Sequence, residues 1–442
     1  MSTGLHSAAV HRPSRLRGTI AIPGDKSISH RALILNALAR GRAHIDGFLD
    51  AADTRSTLAC LRALGAHIEP ASAGAVVVHG AGRASLHEPE DVLDCGNSGT
   101  TMRLLTGALA GLPMFAVLTG DASLRRRPMD RIVQPLRALG AELSGRADGR
   151  LPPLVVRGGA LRGGQRIESR VASAQVKSSI LLAALAADGP TTVVEPEQSR
   201  DHTERMLRAM GAGVTIDGGT VTLTPPAGDL RAVDVTVPGD ISTAAPWIVA
   251  ATLHPDAELL LTGVGVNPTR TGLLDILWSM GAAIELLEER ESGGEPVADL
   301  LVRSAALHGV EVGGALVPRA IDELPLVALA GALASGETLI RDAAELRVKE
   351  SDRVATTAEM LRAFGVTVEE RPDGMRVRGG ASLRGAAVGS SGDHRLAMLG
   401  AVAALLAEGE TAIDDSGAVA VSYPDFWREL ARLGGVQESL RG

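Results

Sequence analysis

The sequence has few aromatic side chains, few cysteines and almost no lysine. Phe, Trp and Tyr together make up 2% of the 442 residues, so Ala, Val, Leu and Ile must build the cores. The two cysteines, Cys60 and Cys95, give neither a disulfide framework nor a metal-ligand spacing. No apolar run is long enough to span a membrane, and the N-terminal residues lack the apolar segment of a signal peptide. We therefore expect a cytoplasmic protein with no membrane partner.

The balance of charge excludes another class of protein. The net charge is -8, and no basic stripe interleaved with aromatic residues occurs, which argues against a nucleic-acid partner. With 45% hydrophobic residues, the chain suits two or three globular domains with large cores. We expect a monomer whose partners are small molecules.

Lysine is present at three positions, Lys26, Lys177 and Lys349, among 44 basic residues, and each lies in a short polar motif. Arginine cannot replace lysine where a site needs a compact ammonium group or an amine that transfers a proton. The three lysines therefore indicate a functional site, and the alternative is chance in an arginine-rich chain.

One phrase recurs six times along the chain, at intervals of about seventy to eighty residues. In each copy an apolar-periodic helix runs into a glycine that suits a left-handed C-terminal cap, and in the first five copies an alternating strand follows. The copies are Leu61–Ala66, Leu136–Ala141, Leu207–Ala212, Leu277–Ala282, Leu361–Val366 and Leu430–Gly435.

Short polar patches lie between these phrases, and each is predicted to open a further apolar helix. Free N–H groups at helix starts attract anions, although ordinary capping is the alternative for any single patch. The patches are Lys26–Ser29, Asn97–Thr100, Ser173–Gln175, Asp240–Thr243, Asp322–Glu323 and Ser390–Asp393.

The order of elements in each copy is approximately βαβαββ. It predicts an α/β fold of two similar domains with three repeat units each. We place the first domain at residues 21–238 and the second at residues 1–20 plus 239–442, with Arg17–Pro23 as a returning strand. The acidic segment Glu288–Glu295 is interpreted as a solvated hairpin or loop.

The first and third patches have the composition of an anion site. Lys26 starts a helix and Arg31 lies one turn further, so both can address an anion at that terminus. Arg200–Glu204 follows the third patch. It contains His202 and Glu204, but no third ligand has a suitable spacing, and we expect no metal.

Further cations lie near the remaining patches. The segment Arg347–Arg353 could form a surface salt-bridge ladder, and Arg125–Arg127 could be a solvated run, which are the ordinary structural interpretations. Taken together, the cations are too many for one uncharged ligand and suit two anionic substrates. They are Lys26, Arg31, Arg127, Lys349, Arg353 and Arg395. Asp322 and Glu350 are the natural proton carriers beside them.

These motifs resemble those of the 5-enolpyruvylshikimate-3-phosphate synthase family, from about Arg15 to Val436. Asn97–Arg103 and Arg347–Arg353 are similar to its most specific segments. The resemblance implies the enolpyruvyl transferase fold, an inside-out α/β barrel of two domains that close over the substrates in the cleft between them. Four segments are similar to signatures of the second class of the family, which includes glyphosate-tolerant members: Gly24–Ser27, Ser173–Lys177, Arg200–Glu204 and Asn267–Arg270.

The family reaction transfers the enolpyruvyl group of phosphoenolpyruvate to the 5-hydroxyl of shikimate 3-phosphate, through a tetrahedral intermediate, and releases phosphate. The resemblance implies shikimate 3-phosphate contacts at Lys26, Ser27, Arg31, Ser173, Ala174, Gln175, Arg200, Asp322 and Lys349. It implies phosphoenolpyruvate contacts at Lys26, Gly99, Arg127, Gln175, Arg353 and Arg395. Lys26, Asp322 and Glu350 are the implied proton carriers, and no metal or organic cofactor is implied.

Two other classes of protein are alternatives to this family, and the sequence departs from the family pattern at two positions. The sister transferase that acts on UDP-N-acetylglucosamine carries a cysteine or aspartate on a mobile loop, and Thr119–Arg125 has no cysteine. A catalytically silent scaffold would need neither Lys26 nor Lys349. Val421 stands where the first class of the family has a further lysine. Tolerant second-class members can carry alanine at the position of Gly99, so glycine there predicts that glyphosate competes with phosphoenolpyruvate.

Overall fold

Strands of alternating residues and helices of apolar residues follow one another along the chain, which the computed structural model describes over residues 7–72 and 74–436. The strands are β1 (Ser7–Val10), β2 (Leu16–Ala21), β3 (Arg40–Asp46), β4 (His67–Ser72), β5 (Ala75–Ala81), β6 (Leu93–Asp94), β7 (Phe115–Thr119), β8 (Glu142–Gly145), β9 (Leu151–Arg157), β10 (Gln165–Glu168), β11 (Thr191–Val194), β12 (Gly213–Asp217), β13 (Thr220–Thr224), β14 (Val235–Thr236), β15 (Ala257–Gly265), β16 (Ala283–Ser292), β17 (Glu295–Arg303), β18 (Glu311–Val312), β19 (Glu337–Ile340), β20 (Val368–Arg371), β21 (Gly374–Arg378), β22 (Ala387–Gly389) and β23 (Thr411–Asp414).

Helices alternate with these strands. They are α1 (Lys26–Leu38), α2 (Ala52–Ala63), α3 (Gly99–Ala110), α4 (Asp130–Ala138), α5 (Arg146–Gly149), α6 (Ala174–Ala184), α7 (His202–Ala209), α8 (Ile241–Leu253), α9 (Gly272–Met280), α10 (Leu316–Ala320), α11 (Leu324–Leu333), α12 (Arg353–Ala363), α13 (His394–Ala404) and α14 (Phe426–Arg432). None of the helices in the described part of the chain combines the length and the apolar character needed to cross a bilayer.

The chain divides into two domains. The first comprises Gly24–Pro238 together with Glu291–Glu295, and the second comprises the chain up to Pro23, Gly239–Arg290 and the chain from Pro296 onward. Residues 21–23 therefore belong to the second domain rather than to the first. The turn between β16 and β17 belongs to the first domain, where Glu295 is buried and pairs with His202 Nδ1 at 2.8 Å. The hairpin was predicted correctly, but its description as solvated is wrong for Glu295.

Each domain contains three sheets, and in five of these six sheets one parallel strand pair is extended by an antiparallel hairpin. The first domain has the orders β14-β3-β5-β4, β6-β7-β9-β8 and β10-β11-β13-β12. The second has β16-β17-β15-β2, β18-β19-β21-β20 and the three-stranded β1-β23-β22. This arrangement confirms the predicted α/β class and the βαβαββ order.

Strands distant in sequence complete three of the six sheets. β14 pairs parallel with β3, and β2 pairs parallel with β15, which confirms the returning strand predicted at Arg17–Pro23. β1 pairs antiparallel with β23, and Val10 also bridges Val436. In the sheet of the sixth unit, β1, from the N-terminal part of the chain, therefore supplies the antiparallel partner strand.

The six recurring phrases end six helices, as predicted. The glycine of each phrase has a left-handed backbone with φ between +83° and +100°, which a side chain would strain. These residues are Gly65, Gly140, Gly211, Gly281, Gly365 and Gly434.

Six other helices, α1, α3, α6, α8, α11 and α13, are buried along most of their length, and the core of each domain forms around three of them. Leu, Ile, Val and Ala dominate both cores, and the second domain adds Trp247, Tyr423 and Phe426 in mutual ring contact. Because the sides of these helices are apolar, their polar N-termini are where they carry chemistry.

Candidate active site

The six polar patches lie at the N-termini of these six buried helices, which confirms their predicted position. Side chains cap four of the helices: Asp25 accepts from Ile28 N at 2.9 Å, Ser98 from Thr101 N at 3.1 Å, Asp240 from Ser242 N at 2.9 Å, and Asp393 from Arg395 N at 3.0 Å. Capping therefore explains part of four of the patches, and the charged neighbours need a separate account.

Lys26 in the first domain occupies the first position of α1 and forms an ion pair with Asp53 at 3.0 Å. Asp53 lies in the first turn of α2. The Lys26 side chain is 17% exposed, so its ammonium group is held in place but not sealed from solvent. This geometry suits a lysine that meets an anion.

Arg31 is nearly buried and connects three helices. Its Nε donates to Thr203 Oγ1 at 2.6 Å, one Nη donates to Ser178 Oγ at 2.7 Å, and the other donates to Ser27 O at 2.9 Å. These contacts fix the starts of α1, α6 and α7 relative to one another. Arg31 thus orders the site whether or not it also contacts a ligand.

Two arginines cover the start of α3 at Gly99. A Cβ atom built on Gly99 would lie 2.8 Å from an Nη of Arg103 and 3.3 Å from an Nη of Arg127. Arg127 donates to Asn97 Oδ1 at 2.6 Å, and Arg103 hydrogen-bonds Gln175. The absence of a side chain at position 99 therefore lets both guanidinium groups approach the helix N-terminus.

Lys177 differs from Lys26 and Lys349 because its side chain is buried. Lys177 is 1% exposed, and its Nζ lies 2.8 Å from both Glu195 Oε2 and Glu204 Oε1. Burial alone would lower the pKa of Lys177, but the two carboxylates outweigh it and raise the pKa. Burial also raises the pKa of Glu204, against the effect of Lys177. The ammonium group is enclosed by protein and faces no open site.

This buried cluster holds two segments that carry predicted site residues. Glu195 accepts from Ser173 N at 2.9 Å and from Ser199 Oγ at 2.7 Å, and Lys177 donates to Ser199 O at 3.3 Å. Ser173 precedes α6, and Ser199 precedes Arg200. The buried Lys177 therefore holds these two segments in place from the interior of the protein.

His202 and Glu204 do not converge. His202 pairs with Glu295, while Glu204 pairs with Lys177, so the two side chains serve different ion pairs.

In the second domain the predicted residues form one charged cluster around Arg353, whose side chain is 1% exposed. Its Nε lies 2.8 Å from Asp393 Oδ2, one Nη lies 3.1 Å from Asp322 Oδ1, and the other lies 2.6 Å from Glu350 Oε2. These carboxylates come from the starts of α11, α12 and α13. The surface-ladder interpretation of Arg347–Arg353 is thus wrong for Arg353.

Asp322 contacts two further cations in this cluster. Lys349 Nζ lies 3.2 Å from Asp322 Oδ1, and an Nη of Arg395 lies 3.9 Å from Asp322 Oδ2. The side chains of Lys349 and Glu350 are 28% and 24% exposed, so this edge of the cluster is open to solvent. Five predicted site residues of the second domain are therefore brought together.

Burial and charge oppose each other at Arg353 and Asp393. Burial would lower the pKa of Arg353, but the carboxylates of Asp393, Glu350 and Asp322 outweigh it and raise that pKa. Burial would raise the pKa of Asp393, but Arg353 outweighs it and holds the pKa below its usual value. Both groups are therefore charged at neutral pH.

Several residues that the structure places in these clusters were not predicted as site residues. Asp53 pairs with Lys26, Arg103 covers Gly99, and Asp393 anchors Arg353. Buried Glu323 accepts from Ser242 Oγ and lies 3.7 Å from Arg395. Arg103, Glu323 and Asp393 lie within motifs recognised from the sequence, and this was the available signal. Nothing in the sequence marked Asp53 as a partner.

A family model described as EPSP synthase (3-phosphoshikimate 1-carboxyvinyltransferase) matches residues 10–430. A 3-phosphoshikimate 1-carboxyvinyltransferase from Roseiflexus sp. strain RS-1 is 59% identical, over 95% of this chain and 98% of the relative. One from Chloroflexus aggregans is 56% identical, over 95% and 97%.

Solved structures are also similar to this chain. EPSP synthase from Acinetobacter baumannii has a TM-score of 0.86 and 42% identity, over 98% of this chain and 99% of that chain. The enolpyruvyl transferase NikO from Streptomyces tendae has a TM-score of 0.79 and 23% identity, over 98% of each chain, and so supports the fold alone.

Proposed function

The chain belongs to the EPSP synthase family, and on that premise we propose that its two charged clusters supply the contacts for the two substrates. The enzyme is a transferase of the shikimate pathway, on the route to aromatic amino acids. It transfers the enolpyruvyl group of phosphoenolpyruvate to the 5-hydroxyl of shikimate 3-phosphate and releases phosphate.

Shikimate 3-phosphate is assigned to the starts of α1 and α6. Two sets of contacts support this assignment. The hydrogen bonds of Arg31 join these helix starts, and the buried Lys177 cluster holds the segments that contain Ser173 and Arg200. Free N–H groups and cations at such termini suit a phosphate group. The proposed residues are Lys26, Ser27, Arg31, Ser173, Ala174, Gln175, Arg200, Asp322 and Lys349.

Phosphoenolpyruvate is assigned to Arg127, Arg353 and Arg395, together with Lys26, which both substrates share. The close approach of Arg127 to Gly99 supports an anion site at the start of α3. Arg353 is already surrounded by carboxylates, so a substrate anion that binds it must replace one of them. Glu350 is the most exposed of the three and is the one we expect to be displaced. The proposed residues are Lys26, Gly99, Arg127, Gln175, Arg353 and Arg395.

Displacement would release Glu350 for proton transfer. In the addition step the 5-hydroxyl oxygen bonds to C2 of phosphoenolpyruvate, its proton goes to Asp322, and C3 gains a proton. In the elimination step C3 loses a proton and the C2–O bond to phosphate breaks. Glu350 and Lys26 carry the C3 protons. A carboxylate is too weak a base to remove the proton of a free alcohol, so proton transfer to Asp322 must accompany C–O bond formation.

The observation that carries this proposal is the Arg353 cluster, in which a buried guanidinium joins carboxylates from three helix starts beside two more cations. Such a preorganised array stabilises charge that develops on bound anions. A solvated surface would not enclose Arg353.

A substrate panel tests the proposal. Phosphate release would be measured with phosphoenolpyruvate alone and with shikimate 3-phosphate, shikimate or UDP-N-acetylglucosamine added. We expect rapid release with shikimate 3-phosphate, and a drop of several orders of magnitude with shikimate because a bound phosphate contributes orientation as well as affinity. Equal rates with shikimate would contradict the phosphate contacts, and release driven by the nucleotide sugar would overturn the acceptor.

A further inference from the structure

A cluster of histidine and glutamate side chains lies outside both charged clusters, on the sheet that contains β4 and β5. These strands pair antiparallel with His67 directly opposite His79, and Glu69 lies two residues further along β4. Residues two apart on a strand share a face, so the three side chains project from the same surface. Ile68, Val76 and Val78 face the core instead.

The polar atoms of this cluster converge on one point. His67 Nε2 lies 2.8 Å from Glu69 Oε1, and His79 Nε2 lies 3.4 Å from Glu69 Oε2. The two imidazole rings stack with centroids 4.5 Å apart and an angle of 19° between their planes. One nitrogen of each ring and one carboxylate oxygen all lie within 4.8 Å of one another.

His79 adds an independent observation. Its Nε2 is shielded from solvent and has no hydrogen-bond partner among the described residues, although it points toward Glu69. A buried polar atom without a partner is uncommon and calls for a missing ligand or proton. A cation in front of the Nε2 lone pair would satisfy it.

We propose that His67, Glu69 and His79 form a binding site for one divalent transition-metal cation of the zinc class. Two imidazole nitrogens and one carboxylate oxygen are a known zinc ligand set that leaves a position for water. Imidazole ligands favour zinc, nickel and copper over magnesium and calcium. The strand register sets the ligand positions, so binding requires only side-chain adjustment.

Two basic residues of β3 lie on the same sheet face as this site. Arg42 on β3 lies opposite His79 in the register, and its charge opposes a bound dication. The neighbouring His44 is paired with Asp46 at 3.0 Å.

The test is a titration of the full-length, chelator-treated protein with Zn²⁺ in competition with a chromophoric chelator. We expect one Zn²⁺ per chain. Zn²⁺ binding should weaken at least about tenfold in each of the variants His67→Gln, Glu69→Gln and His79→Gln. Removal of a residue that only orients a metal ligand already weakens binding by about tenfold, so removal of a ligand should weaken it at least as much. His44→Gln is the matched control on the same sheet face and should bind Zn²⁺ as the wild type does.

A spectroscopic measurement separates ligation from a change in stability. With Cu²⁺ in place of Zn²⁺, electron paramagnetic resonance should show two coordinated imidazole nitrogens in the wild type and one in His79→Gln. Absence of stoichiometric binding, or equal weakening by His44→Gln, would overturn the proposal. So would release of the metal by shikimate 3-phosphate, because it would place the metal at the substrate contacts.

Discussion

At the residue scale, Gly99 shows how a missing methyl group shapes the site. Both Arg103 and Arg127 occupy the space beside it, and an alanine Cβ would come within 2.8 Å of an Arg103 Nη. These are the far ends of flexible side chains, so they can shift. A methyl group at this position therefore changes the anion site without breaking the backbone.

We predict that glyphosate competes with phosphoenolpyruvate in the wild type. Gly99→Ala should raise the inhibition constant of glyphosate more than the KM of phosphoenolpyruvate, because the longer inhibitor needs the space that the methyl group takes. Inhibition constants for both proteins measure this. Equal increases for inhibitor and substrate would show that Gly99→Ala merely displaces Arg127, and a wild type indifferent to glyphosate would show that another part of the pocket confers tolerance.

A second residue, the buried His30, affects how the stability of the protein depends on pH. Its Nδ1 contacts Thr57 Oγ1 at 2.7 Å, and burial, assisted by Lys26 and Arg31 and opposed by Asp53, lowers its pKa from 6.5 to about 3. The unfolded chain therefore binds a proton between pH 6.5 and 3 that the folded chain does not. Stability contributed by neutral His30 is complete above pH 6.5 and declines as the pH falls toward 3.

We predict that His30→Gln loses less stability than the wild type on acidification from pH 6.5 to 5. The difference in slope should approach one proton, or about 1.4 kcal/mol per pH unit. Urea unfolding at several pH values measures the slope, and exposed His87→Gln is the control, which should behave as the wild type. Parallel slopes for His30→Gln and the wild type would mean that His30 is protonated in the folded protein.

The sequence predicted which charged residues lie in the site, but not which residues form ion pairs with them. Arg353 and Arg395 were recognisable because both lie in short polar motifs that also contain acidic residues. The partner of Arg353, Asp393, is 40 positions away and also has the properties of an ordinary helix cap. Capping signals are local, whereas ion-pair partners depend on tertiary packing, so only the structure could supply them.

At the scale of elements, the buried Lys177 cluster holds α6, β11 and the start of α7 together. One lysine faces two glutamates, so a carboxylate is in excess, which agrees with the raised pKa of Glu204. Removal of the lysine leaves buried carboxylates without a counterion, whereas removal of the charge on Glu204 leaves a balanced pair.

We predict that Lys177→Met lowers the free energy of unfolding by about 3–5 kcal/mol, whereas Glu204→Gln changes it by about 1 kcal/mol or less. The double variant should recover part of the loss. Urea unfolding of the three variants measures these values. A larger loss from Glu204→Gln than from Lys177→Met would mean that the charges in the cluster are distributed differently.

Elements were predictable where the signal was local. The six glycine caps and the strands after five of them follow from neighbouring residues. The sixth hairpin partner, β1, and the burial of Glu295 against His202 were not predictable, because both contacts join residues far apart in the chain. A run of acidic residues gives no sign that one of them has a buried histidine partner.

At the scale of the whole molecule, two domains of the same construction carry different chemistry. The first presents Lys26, Arg127 and the start of α6, and the second presents the Arg353 cluster with Asp322. The proposed reaction needs phosphate contacts and a proton acceptor. The central claim is that Asp322 takes the hydroxyl proton of shikimate 3-phosphate.

The most direct measurement of this claim compares binding and turnover in Asp322→Asn. The amide keeps the shape of the side chain and can hydrogen-bond, but it cannot accept the proton. We predict shikimate 3-phosphate affinity within about threefold of the wild type by calorimetry, and kcat for phosphate release lower by at least about a hundredfold. A variant whose binding and turnover fall by the same factor would contradict the account and make Asp322 a positioning residue.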